Sequence, residues 1–133
     1  MPIVPSDFED LISNETRALA YLSTLMPDGS PQVTPVWFNT DGKYILINSA
    51  AGRVKDRNMR SRPQVALAIA DPKNPYRYIQ IRGRVVEITH EGADDHIDTL
   101  AGKYTGKPKY GNRRSSEQRI TYKILPNRIS TMG

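Results

Sequence analysis

Arg53-Val54-Lys55-Asp56-Arg57-Asn58-Met59-Arg60-Ser61-Arg62 is the stretch of this chain best suited to chemistry. Five of its ten residues are basic, and Asp56 alone opposes them. Gly52 precedes it, Pro63 closes it, and apolar runs at 44–50 and 64–70 flank it as strands. A strand, a small-residue turn and a basic helix offer fixed cations and free backbone N–H groups, which is what a phosphate needs. The plainer alternative is a solvated basic helix that only joins two strands.

A flat aromatic ligand carrying that phosphate would need two further features. One is a strand edge with unpaired backbone groups. Pro35 lies inside a run at 32–40 that otherwise reads as a strand. Proline cannot donate to a ladder, so the position is an edge or a bulge. Val36, Trp37 and Phe38 follow, and Trp37 is the only tryptophan. A bulge that closes a barrel, with Trp37 in the core, is an equal alternative. The other feature is a face of small side chains. Along 64–70, Val65, Leu67 and Ile69 point one way and Ala66, Ala68 and Ala70 the other, so the alanine face admits another layer, a helix or a flat ligand.

The elements that must position these residues follow from periodicity and punctuation. Ser6-Asp7-Phe8-Glu9 matches a capping box and predicts a short amphipathic helix over 6–14. A buried strand at 18–25, a Pro27-Asp28-Gly29-Ser30 turn and the strand at 32–40 come next. Asp41-Gly42 is a strong hairpin signal before a returning strand at 43–50. After the basic segment and the 64–70 strand, Asp71–Pro75 is a loop. Residues 76–89 then form a long strand with Gly83 as a bulge candidate. Tyr76, Tyr78, Gln80 and Arg82 line one of its faces and suit an interface or a cofactor wall. A helix at 91–104 carries Ile97, Leu100, Ala101 and Tyr104 on one stripe and stops at Gly106. Residues 108–116 are a basic loop, 119–125 a strand with Ile120, Tyr122 and Ile124 on one face, and 127–131 a short last strand. About six or seven strands with attached helices make a mainly β antiparallel barrel, not a βαβ alternation.

Composition bounds the function. The 133 residues form one domain, 1–133, without repeats. The hydrophobic fraction of 38% gives a modest core that an interface with a second copy would supplement. There is no cysteine, which excludes disulfides, thiol catalysis and cysteine metal sites and fits a reducing cytoplasm. No run reaches the length of a membrane span and no signal peptide is visible. The net charge of +5 points to an anionic partner. His90 and His96, the only histidines, sit in no ligand pattern, so no metal is expected. Gly102-Lys103-Tyr104-Thr105-Gly106-Lys107-Pro108 lacks both the spacing and the Ser or Thr of a P-loop. Trp37, Tyr76 and Tyr78 could stack bases, but the basic residues gather in one segment and one loop rather than a nucleic-acid stripe. A phosphorylated, flat, aromatic cofactor is the reading on which the separate features agree.

On these residues the chain resembles the pyridoxamine 5'-phosphate oxidase-like split β-barrel flavoproteins, and within them the small enzymes that use the deazaflavin coenzyme F420 in place of FMN. Asp28-Gly29-Ser30-Pro31-Gln32-Val33-Thr34-Pro35-Val36-Trp37, Lys55-Asp56-Arg57-Asn58-Met59-Arg60, Arg62-Pro63-Gln64-Val65-Ala66-Leu67, Asn74–Val85 with its Arg82-Gly83-Arg84, and Lys103-Tyr104-Thr105-Gly106 carry the likeness. The resemblance implies an FMN-binding-like split barrel and a cytoplasmic homodimer with two cofactor sites at the subunit interface. Arg53 and Lys55 would bind the cofactor phosphate, with Arg57 and Asn58 nearby. Thr34, Pro35, Val36 and Trp37 would line the ring, joined by Ile47, Asn48 and Ser49, and Tyr78 and Gln80 would come from the other subunit. The implied activity is hydride transfer between reduced F420 and an unsaturated small-molecule acceptor, with no side chain as nucleophile or obligatory acid. FMN is the alternative cofactor, and a non-catalytic cofactor- or polyanion-binding barrel is the alternative of another class. Neither nucleic acid nor a membrane is an expected partner.

Overall fold

The computed structural model describes residues 4–133. A 3-10 turn at Ser6–Phe8 runs into helix α1, Glu9–Ile12. Strands β1, Ala20–Leu25, and β2, Pro31–Val36, precede a two-residue strand β3, Asn39–Thr40, and β4, Ile45–Ala50. Helix α2, Val54–Ser61, separates β4 from β5, Gln64–Asp71. The chain ends with the long strand β6, Asn74–Thr89, helix α3, Ala93–Thr105, and β7, Arg119–Met132. All seven strands lie in one antiparallel sheet in the order β2-β1-β5-β6-β7-β4-β3, which curls into a half-barrel. The mainly β class and the split barrel expected from the sequence are what the chain forms.

Local chemistry explains most boundaries. Gly42 and Gly29 take positive φ in their turns, and Asp41 and Asp28 accept hydrogen bonds from backbone N–H groups two or three residues on. Gly106 ends α3 in the left-handed conformation, with φ 75°. The ladder shifts register between Arg82 and Gly83, where a side chain would collide with the Leu125 carbonyl of β7; glycine therefore makes the bend of β6 possible. β7 absorbs the predicted break at Pro126 and continues as one strand.

Two expectations need correction. Ser6 lies inside the 3-10 turn and no side chain caps it or α1. Pro5 fixes the entry instead, its carbonyl accepting from Phe8 N–H at 2.9 Å. The strand predicted at 32–40 breaks at Trp37 and Phe38, and β2 is an edge strand, as a proline at 35 requires.

The core fills the concave side. Leu22, Phe38, Ile45, Ile47, Leu67, Ile69, Ile79, Ile81, Tyr122 and Ile124 are all buried there. The alternation along β5 is as read: Val65, Leu67 and Ile69 are inside, and Ala66, Ala68 and Ala70 lie half-buried on the opposite face. Helix α3 lays Ile97, Leu100 and Ala101 against β4 and β7, which covers part of the outer surface of those strands.

Candidate functional site

The turn before α2 is held from below by Asp56. Its carboxylate is almost fully buried and accepts from Gly52 N–H at 2.9 Å, from Arg60 Nε at 3.0 Å and from the Tyr122 hydroxyl. Burial opposes its ionisation, yet the Tyr122 and Gly52 hydrogen bonds with the Arg60 charge outweigh that and hold its pKa below the usual range. The single acid of the basic segment is thus a fastening for the turn. It leaves Arg53 and Lys55 free to face a cavity.

That cavity, of about 380 Å³, is lined by Pro35, Val36 and Trp37 on one side and by Asn48, Arg53, Lys55 and Arg119 on another. No acidic residue lines it. Glu117, just beyond, bridges Arg53 at 2.8 Å and Arg119 at 3.1 Å. Lys55 is half-buried and makes no hydrogen bond or ion pair among the described residues. Burial, then the charges of Arg53 and Arg119, lower its pKa. Two cations that share one carboxylate, beside a third with no ion pair among the described residues, are electrostatically incomplete, and a phosphate oxyanion is a group that would complete them.

The aromatic wall is built by α3. The Trp37 ring stacks on Tyr104 with centroids 5.3 Å apart and planes within 4°, and meets the edge of Tyr110 at 6.0 Å. The strand break beside it is secured by the same helix. Tyr104 donates to the Ala18 carbonyl at 2.6 Å and accepts from Phe38 N–H at 3.3 Å, and Lys103 Nζ donates to the Phe38 carbonyl at 2.8 Å. Burial raises the Tyr104 hydroxyl to about 12 and lowers Lys103 to about 8. Both groups are committed to backbone, so Tyr104 braces the wall. Val36 and Trp37 thereby present the end of an edge strand to the cavity, where one side of the ladder has no partner strand.

The structure brings six of the sequence-predicted site residues to this cavity: Pro35, Val36, Trp37, Asn48, Arg53 and Lys55. The others lie elsewhere in the single chain. Ile47 is in the core. Ser49 is buried beside it and Thr34 is half-buried on β2; their hydroxyl oxygens have no hydrogen-bond partner among the described residues. Arg57 is exposed and donates to the Gly52 carbonyl. Asn58 is buried and ties α2 to β1, donating to Thr24 Oγ1 at 3.0 Å and accepting from Arg62 at 3.2 Å. Tyr78 and Gln80 stand on the outer face of β6, cross-strand from Ala70 and Ala68. Sequence reasoning missed Leu19, Ile97, Leu100, Tyr110, Asn112 and Arg119, which complete the lining. Among the described residues no cluster of three His, Cys, Asp or Glu could hold a metal, and no helix is long and apolar enough to cross a membrane.

A family model described as pyridoxamine 5'-phosphate oxidase matches residues 8–132. The chain belongs to that family. A solved structure described as an F420 reductase is 32% identical, with 96% of this chain and 98% of that one covered and a TM-score of 0.84. A conserved hypothetical protein of Mycobacterium tuberculosis is 21% identical, covering 98% and 85% of the two chains at a TM-score of 0.73. The HupZ protein of Group A Streptococcus is 21% identical, covering 97% and 94% at 0.67. The last two show the fold alone. No functionally curated protein matches. Family membership and the F420 reductase support an oxidoreductase of the flavin or deazaflavin type.

Proposed function

We propose that the protein is an F420-dependent reductase that transfers a hydride between reduced deazaflavin and an unsaturated small organic acceptor. The observation that carries the reading is the cavity: Lys55, without a partner among the described residues, beside Arg53 and Arg119 at one end, and the Pro35–Trp37 edge at the other. Arg53 and Lys55 would hold the cofactor phosphate, and the β2 edge and Trp37 would bound its ring. The bound cofactor would supply the hydride chemistry, and the protein would supply position and orientation. No side chain at the cavity is poised as a nucleophile. The likeness to a protein described as an F420 reductase favours deazaflavin, whereas the family model favours FMN as the second reading.

We further propose that the working form is a cytoplasmic homodimer. The outer face of β2, β1, β5, β6 and β7 collects Val33, Tyr21, Tyr76 and Met132, which are 62%, 45%, 82% and 55% exposed. Large apolar side chains concentrated on one sheet face favour a protein partner. Leu19 and Pro35 belong to that face and also line the cavity, so a second copy laid on it would roof the site and bring its Tyr78 and Gln80 near.

The test is to titrate F420 and FMN separately, reading Trp37 quenching and cofactor fluorescence, with the oligomeric state measured in parallel. Tight F420 binding with weak FMN binding supports the reading. The reverse moves the protein to FMN chemistry. Binding of neither leaves a polyanion-binding barrel.

A further inference from the structure

Arg119 is only 4% exposed, yet it carries a full charge at the cavity wall. Its Nε donates to Asn48 Oδ1 at 2.9 Å and its Nη1 to Glu117 Oε2 at 3.1 Å. Its Nη2 has no partner among the described residues, and the one carboxylate it uses is shared with Arg53. Unlike the hydroxyls of Thr34 and Ser49, that nitrogen is not sealed from solvent, so its donors are open to an anionic ligand. Asn48 is oriented in turn. Its Nδ2 has two acceptors, the Ala93 carbonyl at 2.9 Å and His96 Nδ1 at 3.2 Å, which leaves Oδ1 for Arg119. His96 Nδ1 can accept because Nε2–H is directed to Asn39 Oδ1 at 2.8 Å; Thr121 Oγ1 lies 3.1 Å from the same Nδ1. One tautomer of His96 therefore fixes one rotamer of Asn48, and that rotamer fixes Arg119.

We propose that Arg119 is a third ligand for the phosphate oxyanion, and that His96, acting through Asn48, is the positioning residue that aims it. The proposal rests on the cofactor reading above for the phosphate's bearer, but not for the anion site itself. His96 lies behind the cavity wall, bordering a separate groove with Glu91 and Lys123, and is not among the residues that line the cavity. Its side chain connects to the cavity through its hydrogen bond to Asn48, which itself lines the wall and holds Arg119.

The experiment compares each phosphorylated flavin with its phosphate-free counterpart: FMN against riboflavin, and F420 against its bare deazaflavin chromophore. For FMN and riboflavin the ratio of the two dissociation constants measures what the phosphate contributes, and for the deazaflavin pair it measures the phosphate with the chain it carries. Arg119→Gln should cut that ratio about tenfold or more. His96→Phe and His96→Gln should cut it by a smaller factor, about threefold, as loss of an outer partner does. In both cases the phosphate-free ligand should be far less affected. A purely structural role would weaken both ligands together, and that result, or an unchanged ratio, overturns the proposal. In the wild-type protein, titrated inorganic phosphate should shift the 15N Nε–H resonance of Arg119. Absence of that shift also overturns it, even if a variant fails to fold. A shift with no binding of either cofactor would instead retain the anion site and discard the flavin reading.

Discussion

Methionine in place of Lys55 keeps much of the side chain's length and removes its charge. In the ligand-free protein that charge is held against burial and against Arg53 and Arg119, with no carboxylate of its own. Removing it relieves repulsion. Solvent still reaches part of the side chain, so the relief is worth at most about 1 kcal/mol, or about 0–4 °C in Tm. With a phosphate bound the sign reverses. A charge-assisted hydrogen bond contributes about 1.5–3 kcal/mol, so affinity should fall roughly 10- to 150-fold. Thermal unfolding without ligand and fluorescence titrations with F420, FMN and riboflavin measure both effects. Lys55→Met should leave the ligand-free Tm unchanged or raised, weaken the phosphorylated ligands and spare riboflavin. A Tm several degrees lower without ligand would mean that Lys55 supports the fold. Unaltered affinity for every phosphorylated ligand would refute its role in the cradle.

Other consequences follow from the same geometry. Asp56→Ala strands the fully buried Tyr122 hydroxyl and the Gly52 N–H, and should cost about 3–5 kcal/mol in urea unfolding; a loss under about 1 kcal/mol would remove Asp56 as the fastening of the turn. Gly83→Ala forces a side chain onto the Leu125 backbone and should destabilise by about 1–3 kcal/mol; full stability would show that the bulge is pliant. Burial, then Arg119, lowers His96 to about 4, below its ordinary 6.5. The folded state thus prefers the neutral ring, so this contribution is intact above pH 6.5 and is lost as pH falls through 4, about 3 kcal/mol in all. His96→Gln should flatten the stability profile between those two values, and an unchanged slope would place the titration elsewhere.

Much of the architecture was legible because alternation and punctuation agree along the chain. Val65, Leu67 and Ile69 against three alanines, the Asp41-Gly42 turn and Gly83 at the bend are found as read, and Pro35, an edge or a bulge by sequence, lies on the edge strand β2. Ser6 misled, because a side-chain cap requires a regular helix start, and Pro5 begins a 3-10 turn that uses the backbone alone.

The site was legible where a residue's type states its need, as for Arg53, Lys55 and Trp37, and obscure where its need is set by distant packing. Asn58 reads as part of a basic, phosphate-seeking run, but helical geometry turns it inward to Thr24 and Arg62. Arg119 shows the converse. It alternates with Ile120, Tyr122 and Ile124, so it belongs to the face that alternation alone assigns to solvent. Only α3, packed across β4 and β7 with Ile97 and Leu100, makes that face an interior. The signal available in the sequence was the α3 stripe itself. An amphipathic helix next to a sheet whose concave side is already filled must bury its apolar face on the other side, and any charged residue it covers there needs a partner. For Arg119, Asn48 and Glu117 satisfy part of that need within the protein, and the remainder faces the cavity.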